Sequence, residues 1–361
     1  MPVHDFRSDT VTLPTAAMMA AIAGARLGDA ARGDDPTVAE LERLAREATG
    51  KEDALLVPSG TMANLAAIIA HECRGGEVVV EQDAHIYNAE GGGLSALAGA
   101  IARPVRGTHG ILSAEQVRTA IRGSDDAAHA ATRLVCLEST HNVAGGCVYP
   151  LEVLAANRAV ARAAGVPVHL DGARLFNAAT YLDVPLARIC QHADSLWFSL
   201  CKGLRGPVGA ILAGDAAFMR RARRAVRMLG GAMRQAGVIA APAIVALRDD
   251  PYAIHRRDHH LARALASGIA GIDRSLVDLD TVQTNIVNCF VDAYATDARG
   301  ITDALRERSV LAIGRASRIR FVTHAGVDGG SVEAAVDALA QALGSLAHRS
   351  PTQQEAACRH G

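Results

Sequence analysis

The sequence predicts an α/β protein, with a mostly parallel central sheet in a large domain and a smaller α+β C-terminal domain. Two observations carry this prediction. Short apolar runs alternate with longer segments of helical periodicity, the pattern of parallel strands joined by helical crossovers. The chain has 361 residues, half of them apolar, enough to bury a sizeable core over roughly two or three domains. Pro36–Gly50 places Val38, Leu41, Leu44, Ala45 and Ala48 at helical spacing, with Gly50 as the stop. A short strand is predicted at Ala54–Val57, broken by Pro58-Ser59-Gly60, and a helix at Thr61–Cys73. Glu77–Glu81, Arg133–Leu137 and Val166–Leu170 are predicted as buried strands, with a helix over Leu151–Ala164. Ser195–Ser199 and Val208–Ala213 come next as strands. Asp249-Asp250-Pro251 marks the expected boundary, giving a large domain of residues 1–248 and a small one of residues 249–349. The small domain is expected to hold helices at Arg256–Ile269, Ile301–Arg308 and Val332–Ala347, and strands at Ile286–Val291 and Arg318–Val322. Residues 350–361 are polar and uneven, and are expected to be a disordered tail.

Composition excludes several function classes. Lys plus Arg is 37 against 38 for Asp plus Glu, so the formal charge is −1 and no basic excess favours nucleic acid. Aromatic residues are 3% of the chain, too few for a base-stacking platform. The longest apolar stretch, Ala236–Leu247, is about a dozen residues and contains Pro242, short of the ~20 that a membrane span needs. The N-terminus MPVHDFRSDT lacks the apolar core of a secretion signal. Seven scattered cysteines with no C-x-x-C pair support neither a disulfide framework nor a zinc ribbon. A cytoplasmic setting and no catalytic metal are therefore expected.

The residues that carry chemistry stand after strands. Lys202, in FSLCKG, comes just after the strand Ser195–Ser199, at the edge where open α/β sheets bind ligands. Lysine is scarce: only Lys51 and Lys202 occur, and every other basic residue counted with them is arginine. Arginine neither loses its proton nor forms an imine, whereas lysine does both, which points to Schiff-base chemistry. Asp171 ends the strand VPVHL; alone it would serve as a helix cap, but beside Lys202 it suits the protonated nitrogen of a pyridoxal phosphate ring. Ser59, Gly60 and Thr61 open a helix after a strand and offer free N–H groups and the positive dipole end to a phosphate. Their spacing matches neither the P-loop nor the dinucleotide fingerprint. His85 comes after EVVVE and could lie over a flat cofactor ring.

Read in order, DFRSDTVTLPT, DDPTVAELE, PSGTMANL, the histidine loop, HLDGARLFNA, SLCKGLRGPVG, RMLGGAMRQAG and RIRFVTH closely resemble the L-threonine aldolases. These are fold type I, aspartate-aminotransferase-like pyridoxal phosphate enzymes, grouped with the β-eliminating lyases. The resemblance covers nearly all of residues 5–345. It implies that Lys202 forms the cofactor imine, Asp171 holds the ring nitrogen, His85 stacks on the ring, and Ser59, Gly60 and Thr61 hold the phosphate. It implies that Ser8, Arg174 and Arg320 bind the substrate carboxylate, and that Arg234 reaches a phosphate across a subunit interface in a homotetramer. The implied reaction is retro-aldol cleavage of a β-hydroxy-α-amino acid to glycine and an aldehyde, run reversibly.

Three departures bear on the substrate. Arg32 stands where the family has tyrosine in VYG[ED]DPT, and Ala89 where it often has an aromatic four residues after the histidine. Both are expected near the substrate end, Ala89 opening space and Arg32 either adding charge or facing solvent at a subunit contact. A second histidine that the family often uses near the β-hydroxyl matches imperfectly; His129 lies one position away. The alternative on the same scaffold is another lyase reaction, such as β-elimination, or aldol chemistry on a non-threonine hydroxy amino acid.

Overall fold

The computed structural model describes residues 2–123, 127–294 and 297–344. Its strands, in chain order, are β1 His4–Asp5, β2 Asp53–Val57, β3 Glu77–Glu81, β4 Ile101–Val105, β5 Thr132–Glu138, β6 Val168–Gly172, β7 Ser195–Ser199, β8 Ala210–Gly214, β9 Ile286–Phe290, β10 Val310–Leu311, β11 Ile313–Arg315 and β12 Arg318–Val322. The chain divides into two compact units: residues Leu13–Val143 with Cys147–Tyr252, and Met1–Thr12 with Ala144–Gly146 and Ala253–Gly361.

The larger unit is built on a seven-stranded sheet in the order β2-β8-β7-β6-β5-β3-β4. Strands β7, β6, β5, β3 and β4 run parallel, and β8 is antiparallel to both β7 and β2. The pairings Val57 with Ala210, Ser199 with Ala210 and Glu138 with Asp171 bring the carboxyl ends of β2, β7, β5 and β6 to one edge. Leu137, Leu170, Leu196 and Ile211 are buried in its core. The helix Pro36–Thr49 begins as expected: Asp35 accepts from the N–H groups of Thr37 and Val38, Pro36 opens the first turn, and Gly50 closes it at φ 68°. The sequence pattern does not predict β4, whose segment IARPV contains Pro104. β4 lies at the sheet edge, where a residue with no N–H to give is tolerated.

The smaller unit pairs β11, β12 and β9 antiparallel and covers them with the helices Ala298–Glu307 and Gly329–Gly344. Here the predicted division is corrected. Residues 1–12 belong with the C-terminal unit, because β1 pairs with β10, His324 Nε2 lies 2.8 Å from the Asp5 carbonyl, and Phe6 packs edge-on against Phe321 with ring centroids 6.0 Å apart. A strand of two residues carries too little periodicity to announce a long-range pairing. The boundary also moves to just after Tyr252, inside the helix Pro251–Ile272 that the sequence places later at Arg256. The expected tail, residues 350–361, lies outside the described residues. Among the described residues no helix is long and apolar enough to cross a membrane.

Candidate active site

The carboxyl edge of the large sheet gathers Asp171, Lys202, His85 and the Ser59 turn. Asp171 is the penultimate residue of β6, at 1% exposure; its Oδ1 accepts from the Ala173 N–H at 3.1 Å and its Oδ2 from Asn64 Nδ2 at 2.8 Å. Burial, reinforced by the charges of Glu138 and Glu90, pushes the Asp171 carboxyl up to about 7. Beside it Glu138 ends β5 and ties two loops together. Its Oε2 accepts from the His85 N–H at 2.6 Å and its Oε1 from the Asn142 N–H at 2.8 Å. Asn142 Oδ1 in turn accepts from Arg174, a buried guanidinium, at 3.3 Å.

His85 opens the short helix His85–Asn88, and its Nδ1 lies 2.9 Å from Glu90 Oε1. That carboxylate holds the imidazolium above its ordinary range, aided by the charges of Asp171 and Glu138 and opposed by burial. His85, Glu90 and Asp171 each offer a polar atom within 4.8 Å of the others. A second imidazole, His141, is buried against Glu81 with its Nε2 3.0 Å from the carboxylate.

Ser59 caps the helix Gly60–Ala70, accepting from the Met62 N–H at 3.2 Å. Gly60 is required by close approach, since a Cβ there would stand 2.1 Å from the Trp197 ring. The Lys202 amine lies 5.8 Å from the Trp197 ring centroid, and Trp197 Nε1 donates to Asn64 Oδ1 at 2.7 Å. One indole thus sits below the phosphate-type turn, under the lysine and against the residue that grips Asp171.

Other expected residues stand elsewhere. His129 lies in an exposed segment ahead of β5, whose first residue Thr132 pairs with Glu77; this is the amino edge, opposite Asp171 and Glu138. Within one chain the structure therefore separates His129 from the constellation, because a strand that crosses the sheet leaves its preceding loop at one edge and its succeeding loop at the other. Arg32 and Arg234 are exposed and share Asp29, at 3.3 and 3.0 Å. Ala89 is exposed and closes the His85 helix. Ser8 and Arg320 belong to the smaller unit, where Ser8 accepts from the Thr10 N–H and Arg320 Nη2 donates to the Arg7 carbonyl at 3.2 Å.

Sequence reasoning missed Asn64, Glu90, Glu138, His141, Asn142 and Trp197. Glu138 carries the same signal as Asp171, a carboxylate closing a buried strand. Asn64 carries none, since a polar residue within a helix ordinarily faces water.

Three comparisons place the chain among known proteins. Residues 5–292 match the β-eliminating lyase family. A probable low-specificity L-threonine aldolase 2 of Arabidopsis thaliana is 41% identical over 327 residues, covering 89% of this chain and 91% of that protein. A solved threonine aldolase structure from Leishmania major superposes with a TM-score of 0.81 at 20% identity, covering 94% of this chain and 99% of the other. A structure of SPT with PLP as an internal aldimine superposes with a TM-score of 0.72 at 19% identity, covering 95% and 86%. The two superpositions show the fold.

Proposed function

The chain belongs to the β-eliminating lyase family and, within it, to the low-specificity L-threonine aldolases; from that premise we propose that it cleaves L-β-hydroxy-α-amino acids of the threonine, allo-threonine or phenylserine type between Cα and Cβ, giving glycine and an aldehyde, with pyridoxal 5′-phosphate as cofactor. The observation that carries this reading is the buried Asp171 beside Glu90 and Glu138 on the edge that holds Lys202. So much buried acid calls for a cation, and a protonated ring nitrogen supplies one. The residues present fit the cofactor. Asp171 would hold the ring nitrogen, Lys202 the carbonyl carbon, His85 the ring face, and Ser59, Gly60 and Thr61 the phosphate at a helix N-terminus. When bound, the chemistry the cofactor supplies is an electron sink for the pair left by Cα–Cβ cleavage.

The chain's own residues do the rest. Arg174, held by Asn142, presents a fixed guanidinium to the substrate carboxylate, and fixing that carboxylate sets which Cα bond is cleaved. The β-hydroxyl must lose a proton as the bond breaks. Of the imidazoles described at this edge, His141 is buried on Glu81, whereas His85 has a side chain 38% exposed, so His85 in its neutral form can accept that proton. Arg234, exposed on Asp29, is positioned to serve a neighbouring subunit, in keeping with a homotetramer. The six described cysteines are free, in keeping with a cytoplasmic setting.

The test is an absorbance scan of purified protein, repeated with threonine, allo-threonine and phenylserine while glycine and aldehyde are measured. A protonated-imine band with glycine release is expected. A band with no glycine from any of the three, or pyruvate and ammonia from serine, would replace the aldolase reading with β-elimination.

A further inference from the structure

Glu90 joins two groups that the cofactor reading treats as separate. Its Oε1 accepts from His85 Nδ1 at 2.9 Å and from Asn64 Nδ2 at 2.7 Å, and the same Asn64 nitrogen donates to Asp171 Oδ2 at 2.8 Å. The orientation of the Asn64 amide is set from its other end. Trp197 Nε1 is a donor only, and at 2.7 Å it must face Asn64 Oδ1, which also lies 3.1 Å from His169 Nε2. His169 Nδ1 lies 2.8 Å from Ser195 Oγ, and His71 Nε2 lies 2.7 Å from that hydroxyl. Both Asn64 amide protons are thereby committed to carboxylates, one to Glu90 and one to Asp171.

Resting on the proposed reading of this edge, we propose that Glu90, acting through Asn64, is a positioning residue that fixes the His85 ring and the Asp171 carboxylate as one unit. The charge arrangement explains why a carboxylate occupies the position. His85 faces Glu90, Asp171 and Glu138; Asp171 faces Glu138, Glu90, His85, Asn64 and the buried thiol of Cys136. Once His85 has taken up a proton, the imidazolium paired with Glu90 is neutral as a pair, which leaves the charge of Asp171 for the ring nitrogen. Without the Glu90 charge, His85 loses its counter-ion while Asp171 is relieved of a like-charged neighbour. Glu90 needs no contact with substrate or cofactor to act in this way.

The test compares Glu90→Gln with Glu90→Ala. Glutamine keeps an oxygen for both donors and removes the charge; alanine removes the tether. Histidine-selective NMR titration of the cofactor-free protein reads His85 directly, and its midpoint is expected to move to lower pH in Glu90→Gln. In the loaded enzyme kcat is expected to fall about tenfold, the worth of one charge-assisted hydrogen bond, with KM within about twofold and the acid limb of the pH–rate profile tracking the NMR midpoint. Glu90→Asp, which restores the charge at a shorter reach, is expected to recover the titration in part. A His85 midpoint that stays put in folded Glu90→Gln, or a wild-type pH–rate profile there, overturns the proposal. If wild type releases no glycine, the aldolase reading fails, and the titration still decides the role of Glu90. If Glu90→Ala does not fold, Glu90→Gln carries the test.

Discussion

The two edges of the large sheet hold the same residue types and use them differently. At the amino edge Lys51 donates to the Ala193 carbonyl at 2.5 Å, and burial lowers its pKa. His71 and His169 share Ser195 there, and burial pushes them down to about 4 and about 3, so both are neutral. At the carboxyl edge Lys202 stands by Trp197, while His85 is raised by Glu90 and Asp171 is lifted by burial among carboxylates. The difference lies in the neighbours. Carboxylates converge on His85 and Asp171 where β5 and β6 end, whereas at the amino edge Lys51, His71 and His169 meet a carbonyl and a hydroxyl, and Glu77, Asp53 and Asp194 are each paired with an arginine. One edge is thus a site where acids gather around His85 and Asp171, and the other is scaffold held by hydrogen bonds and ion pairs.

Exchanging the lysines for uncharged residues gives the largest contrast. Lys202→Ala is expected to remove the imine band and lower glycine release by about 10³-fold or more. Lys51→Met is expected to leave the rate within about twofold and to cost about 1–3 kcal/mol of stability, since the Ala193 carbonyl loses its donor. Equal loss of activity in both would erase the distinction between the edges. Asp171→Asn is next in size, with shape kept and charge removed; turnover is expected to fall about 10²-fold with weaker cofactor retention, measured by absorbance after dialysis. Glu90→Gln, at about tenfold in kcat, is smaller again.

The pH dependence of stability separates the edges by sign. Folded Asp171 holds its proton more tightly than the unfolded chain does, so its contribution is full at low pH and is lost as pH rises towards and through about 7. Folded His71 and His169 hold theirs less tightly than the unfolded value of about 6.5, so their contribution is present above that value and is lost as pH falls towards about 4 and about 3. Melting temperatures of the cofactor-free protein between pH 4 and 8 check this. Asp171→Asn should reduce the loss on the alkaline side, to which His85 and His141 also contribute, and His71→Gln should reduce the loss on the acid side. The smallest effect belongs to Ala89→Tyr. It is expected to shift the kcat/KM ratio of threonine to phenylserine by roughly tenfold at most, and an unchanged ratio would remove Ala89 from the substrate site.

Much of this arrangement is legible in one dimension because strand ends are local. A buried run leading into a small residue and a lysine, or into an aspartate, announces an edge position without any knowledge of the neighbouring strand. Lys202, Asp171 and the Ser59 turn are legible in that way, and the strands Glu77–Glu81, Ser195–Ser199 and Arg318–Val322 match the sequence reading residue for residue. β4 is not legible, because Pro104 argues against a strand until its edge position is known.

By itself the sequence determined the α/β alternation, the place of a lysine just past a strand end, and a carboxylate at a strand end, since each depends on residues close together in the chain. Only the tertiary structure decided what those groups lean on. Asn64 reaches Asp171 across 107 positions, and residues 1–12 join the unit formed by the C-terminal part of the chain. The same structure carried His129 to the opposite edge. Such partnerships arise from strand order and helix crossovers, which set distances that no local pattern encodes.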